Sequence, residues 1–217
     1  QGCTNLEEAP ELPATTLAKS CYAGMFYGCT KLGEAPELLA TTLKESCYYL
    51  MFADCTNLGE APELPATTLA KECYSYMFSG CTKLEEAPAL PATTLEESCY
   101  ESMFERCSRL IEPPVLSATT LVERCYAGMF QSCTKLNKVI MLATTIDGNN
   151  CLQGWLNDTA YDGTFLKNAS MSETTLYNYN NYYKPSQWIV NNYGEYKYTW
   201  FHPDRFITYV GNYETYI

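Results

Sequence analysis

The sequence predicts an α/β solenoid, one short parallel strand and one helix per turn, because three features coincide. Cysteine recurs every 26 residues in two series, Cys3, Cys29, Cys55, Cys81, Cys107, Cys133 and Cys21, Cys47, Cys73, Cys99, Cys125, Cys151. Leucine keeps fixed places between them, as in Leu6, Leu32, Leu58 and Leu84. Five near-copies follow one another with no insertion. A period of roughly 20–29 residues with leucine at fixed positions is that of leucine-rich repeats.

Each copy has two halves. The first, Cys3 to Pro13, is short and rich in proline. Proline gives no N–H to a ladder, so a strand there is confined to about Leu6–Ala9. The second, Thr16 to Phe26, carries Leu17, Cys21 and Met25 at i, i+4, i+8, the apolar stripe of a helix. Thr16 is placed as its N-cap, and Thr42/Glu45, Thr94/Glu97 and Thr120/Glu123 have capping-box spacing. Gly28 and Gly80 sit where a left-handed C-cap is expected. One copy cannot bury this stripe alone, so the copies are expected to stack, with strands about 4.8 Å apart.

The run Met25-Phe26, Cys29, Leu32 and the pair Leu12-Pro13 resemble the BspA-like leucine-rich repeats of bacterial surface proteins. The resemblance covers about residues 1–150. It implies a secreted or cell-surface protein with an adhesive, protein-binding role. These copies are longer than that family's, and the extra residues are expected to extend the helix. The chain opens inside a repeat at Gln1-Gly2-Cys3, as a fragment would, so an anchor is expected to lie outside it.

The formal charge of −11 argues against nucleic acid as a partner. No apolar run approaches the roughly 20 residues that span a bilayer. A monomer is expected. The twelve cysteines lack a CxxC pair, and the single histidine, His202, lies far from them in sequence, so no metal site is expected. Buried thiol ladders and disulfides both remain open. Pairing across 18 residues (Cys3 with Cys21) would use all twelve, and the ladders are slightly favoured.

Glu8, Glu34, Glu60, Glu86 and Glu112 form one column, and Glu11, Glu37 and Glu63 a shorter one. The glutamates make either a solvated surface, relieved by Lys31, Lys83, Arg109 and Lys135, or a groove for a cation or a basic ligand. A 26-residue step matches Glu7 with Ile111, and Glu11 with Val115 and then Met141, so this face turns apolar toward the last copies. Packing against the C-terminal segment is the expected cause.

Residues 151–217 form a second region. Trp155-Leu156 fits a last helix in register with Met25-Phe26. Short strands are expected at Gly163–Lys167, Trp188–Val190, Glu195–Phe201 and Phe206–Val210. Together they would make a β-rich aromatic cap over the end of the solenoid. Trp188, Tyr196, Tyr198 and Trp200 could stack on a glycan, although rings of this kind more commonly close a core. No nucleophile motif, phosphate loop or unique acid–base pair is present, so neither catalysis nor a cofactor is expected.

Overall fold

Residues 2–171, 185, 187–194, 196–202 and 205–211 are described by a computed structural model. Proline governs the strand side. Up to Glu112 the parallel pairing shrinks to single bridges, Glu34 with Glu60, Thr42 with Thr68 and Glu86 with Glu112. Pro10 and Pro13, and their successors in later copies, supply no N–H to widen them. Regular strands begin as the prolines thin out: β1 (Val115–Leu116), β2 (Thr120–Leu121), β3 (Lys138–Met141) and β4 (Thr145–Ile146).

The four strands expected after residue 151 form: β5 (Thr164–Lys167), β6 (Ile189–Asn192), β7 (Tyr196–His202) and β8 (Arg205–Gly211). β1, β3, β5 and β6 lie in that order in one parallel sheet, so pairing crosses residue 150 without a break. β2 and β4 pair in parallel, and β7 and β8 make an antiparallel hairpin.

The expected helix is absent. Among the described residues there is no α-helix, either over 16–26 and its counterparts or after residue 151. In its place runs a ribbon of consecutive β-turns. The Cys21 N–H reaches the Ala18 carbonyl, Ala23 reaches Ser20, Met25 reaches Tyr22, and Tyr27 reaches Gly24, at 3.1–3.3 Å. The residues between turn the other way, toward the next copy. Ser20, Tyr22, Gly24, Phe26 and Gly28 donate to the carbonyls of Glu45, Cys47, Tyr49, Met51 and Ala53.

Every fourth ribbon residue has positive φ. These corners are Ser20, Gly24 and Gly28 in the first copy and their equivalents through Asn150, Gly154 and Asp158 in the last. That is where a type II turn takes a left-handed residue, and no α-helix tolerates one. Gly28 and Gly80 are therefore left-handed, as expected, but as ribbon corners and not as helix caps. Two of the threonines expected to cap helices join the parallel pairing, Thr42 with Thr68 and Thr120 with Thr145. Glu45 and Glu97, expected in capping boxes, instead accept the Lys19 and Lys71 ammonium groups at 2.7 Å.

The apolar spacing explains the difference. Each inner ribbon buries adjacent pairs four residues apart, as in Cys73-Tyr74, Met77-Phe78 and Cys81. In a helix each four-residue step turns about 40° past a full circle, so three steps leave the face. A four-residue ribbon keeps every pair on one side.

Successive copies stack these pairs into ladders. Tyr22, Tyr48, Tyr74, Tyr100 and Tyr126 lie ring on ring, with centroids 5.7–6.0 Å apart. Phe26, Phe52, Phe78, Phe104 and Phe130 do the same at 5.4–5.9 Å. Trp155 ends the phenylalanine ladder and meets Phe165 of β5 edge-on at 5.8 Å. Offset ring pairs of this kind add about 0.5–1.5 kcal/mol each beyond burial.

One register expectation is corrected. Val115 pairs with Ile140 and Leu116 with Met141, a step of 25. Met141 therefore follows the buried Leu116 and not Val115, and is itself buried. The missing residue is restored before Cys151. There Gly148 lies so close to the preceding copy that a Cβ would stand 2.2 Å from the Val122 carbonyl carbon.

Two substitutions test this packing by urea denaturation. Phe78→Ala opens a gap in the middle of a fully buried ladder and is expected to cost about 3–5 kcal/mol. Gly148→Ala forces backbone apart at the register shift and is expected to cost about 1–3 kcal/mol.

Candidate functional site

The glutamate column is real in space. Glu8, Glu34, Glu60, Glu86 and Glu112 are all exposed, and the backbone bridges at 34–60 and 86–112 hold four of them in register. Shallow depressions run along it. One is lined by Glu8, Lys31, Glu34 and Asn57, another by Glu60, Pro62, Glu63, Glu86, Pro88 and Pro91. Proline stiffens this surface, because its ring fixes φ.

The basic residues expected to relieve the column do not pair with it. Arg109 forms its ion pair with Glu85, and Lys83 donates to the Asn57 side chain. Among the described residues the remaining ion pairs also lie elsewhere: Lys19–Glu45, Lys71–Glu97, Arg106–Asp54 and Arg124–Glu101. Among the described residues, no cationic side chain is ion-paired with the column's carboxylates.

The apolar end of this face is only partly covered. β3 buries Val139 and Met141 beside β5. Ile111 and Val115 stay 45% and 40% exposed.

Trp188 is not an open stacking platform. It is 3% exposed, and its indole N–H donates to the Ala160 carbonyl at 2.9 Å. Tyr196, Tyr198 and Trp200 occupy alternate positions of β7, opposite Gly211, Tyr209 and Ile207 of β8. Their side chains, like that of His202, lie outside the described residues.

All twelve cysteines are free thiols, ten of them buried. One series has a defined hydrogen-bond role. The thiols of Cys55, Cys81, Cys107 and Cys133 donate to the carbonyls of Phe26, Phe52, Phe78 and Phe104 at 3.0–3.2 Å. Each of those carbonyls also receives the N–H of the cysteine three residues on, so the S–H fills its second lone pair. Serial burial pushes these groups toward the neutral form. Cys47 and Cys151 rise from the usual 9.0 to about 11, and Cys55, Cys73, Cys107 and Cys125 to about 12. Desolvation is the main cause in every case.

Among the described residues no group of three or more His, Cys, Asp or Glu could hold a metal ion. Likewise among the described residues, no helix is long and apolar enough to cross a membrane.

The tyrosine and phenylalanine ladders were not singled out from sequence. The available signal was the adjacent pairing of Cys with Tyr and Met with Phe at a four-residue step. The Lys167 ammonium is likewise unanticipated. Lys167 takes the register place of the buried Met141 and is itself only 6% exposed. Its Nζ donates to the Met171 carbonyl at 2.7 Å and to Asn192 Oδ1 at 3.0 Å.

No model of a known protein family matches the chain, and neither does a curated protein or a solved structure.

The thiols give the fold an alkaline limit. They ionise near 9.0 when unfolded and two to three units higher when folded, so unfolding releases protons above pH 9. Stability is expected to be flat below pH 9 and to fall between pH 9 and 12. The slope is about 1.4 kcal/mol per pH unit for each such thiol. Urea midpoints measured across that range check the onset. A midpoint that begins to fall well below pH 8 would require a different group.

Proposed function

We propose that this chain is a leucine-rich-repeat solenoid of the BspA-like kind, working as a non-enzymatic scaffold outside the cell or on its surface. The observation that carries the reading is the exposed carboxylate column, held in register by backbone bridges and not ion-paired to any cationic side chain among the described residues. Aligned charges of one sign on a stiff surface suit a protein ligand with a complementary basic strip. The buried thiols are compatible with oxidising surroundings, because neutral, inaccessible sulfur reacts slowly.

A second reading, glycan binding, rests on the hairpin that sets Tyr196, Tyr198 and Trp200 at alternate positions of one strand. The buried Trp188 has no part in it. A third role, spacing a further module from the surface, needs no ligand at all.

One set of variants separates these readings in binding measurements against immobilised extracellular-matrix proteins and glycans. The triple substitution Glu34→Lys, Glu60→Lys and Glu86→Lys is expected to weaken protein binding at least tenfold. Because these sites are exposed, thermal stability should hardly move, and the wild-type interaction should weaken with salt. Binding lost in Trp200→Ala but kept in the glutamate variant would move the function to the hairpin. A chain that binds none of these ligands would leave the spacer role.

A further inference from the structure

Between the core-facing pairs of each ribbon stand two residues that join neither aromatic ladder, and the second of them is a left-handed corner. Down the stack these corners are Leu50, Tyr76, Ser102, Gly128 and Gly154. The side chain shrinks from Tyr76 to Ser102 and is absent at Gly128 and Gly154. The lost volume leaves a recess of about 470 Å³, within the roughly 300–1,000 Å³ of small-molecule sites.

Polar side chains flank it. On one side Glu105, Gln131 and Asn157 take the ladder position that Ala53 and Ser79 hold in earlier copies. The amides of Gln131 and Asn157 reach over the bare Gly154: a Cβ there would lie 3.6 Å from Gln131 Oε1 and 3.2 Å from Asn157 Nδ2. On the other side Glu101 is only 9% exposed. The Arg124 fork holds it, Nε donating to Oε2 at 3.1 Å and Nη2 to Oε1. A guanidinium has further donors, and among the described residues nothing accepts them. Tyr76 closes one end, its ring edge-on to Tyr49 at 6.1 Å. Among the described residues, the side chains of Glu105, Gln131 and Asn157 make no hydrogen bond or ion pair.

This set of groups selects its ligand. Glu101 and Arg124 neutralise each other and Glu105 stands beside them, so the recess repels an anion. One uncompensated carboxylate supplies too few oxygens for a metal cation. The amides and the phenol both give and accept hydrogen bonds, as hydroxyls on adjacent carbons do. The Tyr76 ring adds an apolar wall. We infer that this recess binds a neutral saccharide, with the Tyr76 ring against a C–H face of the sugar and Glu105, Gln131 and Asn157 bonded to its hydroxyls. The site rests on neither the glutamate column nor the β7–β8 hairpin.

Nuclear magnetic resonance tests it. The backbone amides of Gly128 and Gly154 are followed while the isotope-labelled chain is titrated with the methyl glycosides of glucose, galactose, mannose and N-acetylglucosamine. At least one glycoside is expected to shift both amides saturably. Tyr76→Gly places at this corner the residue already present at Gly24, Gly128 and Gly154, so the ribbon should keep its shape. It is expected to weaken binding of that glycoside at least about fivefold, and so is the pair Gln131→Ala with Asn157→Ala. Thermal unfolding checks that both variants stay folded. Trp200→Ala is expected to bind as the original chain does. An oligosaccharide ending in the same sugar separates two sources of ligand: tighter binding identifies a glycan end, equal binding a free sugar. Amides that no glycoside moves would overturn the inference. So would inorganic phosphate moving them more strongly than any sugar, affinity kept by either recess variant, or affinity lost in Trp200→Ala.

Discussion

A ribbon of this chain satisfies only half of its backbone N–H groups by itself; the other half point along the stack and need a second ribbon in register. Five such bonds join each neighbouring pair of ribbons, from Ser20 and its alternates in the first pair to Arg124 and its alternates in the last. The ribbon alone would be poor. Across the ribbons, thirteen left-handed corners are not glycine, Leu50, Tyr76 and Arg124 among them, and each costs about 1–2 kcal/mol. Stacking offsets that cost with hydrogen bonds, two aromatic ladders and a leucine-lined interior. Stability therefore belongs to contacts between copies and not to any one of them.

This dependence gives cysteine a purpose unrelated to disulfides. The ladder position at Cys55, Cys81, Cys107 and Cys133 needs a side chain small enough to repeat at the stacking distance. It also has to bring a donor to a buried carbonyl. A thiol does both at little desolvation cost. The same burial holds the sulfur neutral. The exceptions are Cys3 and Cys21, which are exposed.

The stacking also shapes the outer face. Because each copy repeats the last, whatever one copy exposes becomes a column, and the carboxylates of Glu34, Glu60 and Glu86 line up with no further device. The surface is shallow, stiffened by proline and closely periodic. On the proposed reading it serves recognition over an extended area and not enclosure of a small molecule. The periodicity weakens after the fifth copy. There the register slips by one residue and regular strands replace proline-limited bridges.

The sequence by itself determined the 26-residue copy, the direction of stacking, the exposed glutamate column and the four strands of the C-terminal segment. Those features follow from spacing, from where proline withholds donors and from β-branched and aromatic runs, all local properties. Tertiary structure decided the conformation of the second half of each copy, the state of the thiols and the fate of Trp188. The stripe Leu17, Cys21, Met25 suits a helix when one copy is considered alone, since a lone segment must bond its own backbone. A stacked segment can give alternate N–H groups to its neighbour, and that option makes the turn ribbon the better solution. Trp188 was equally ambiguous, because a ring beside a β-branched run can face solvent or core. The Ala160 carbonyl that receives its N–H lies 28 residues away, and only the folded chain brings the two together.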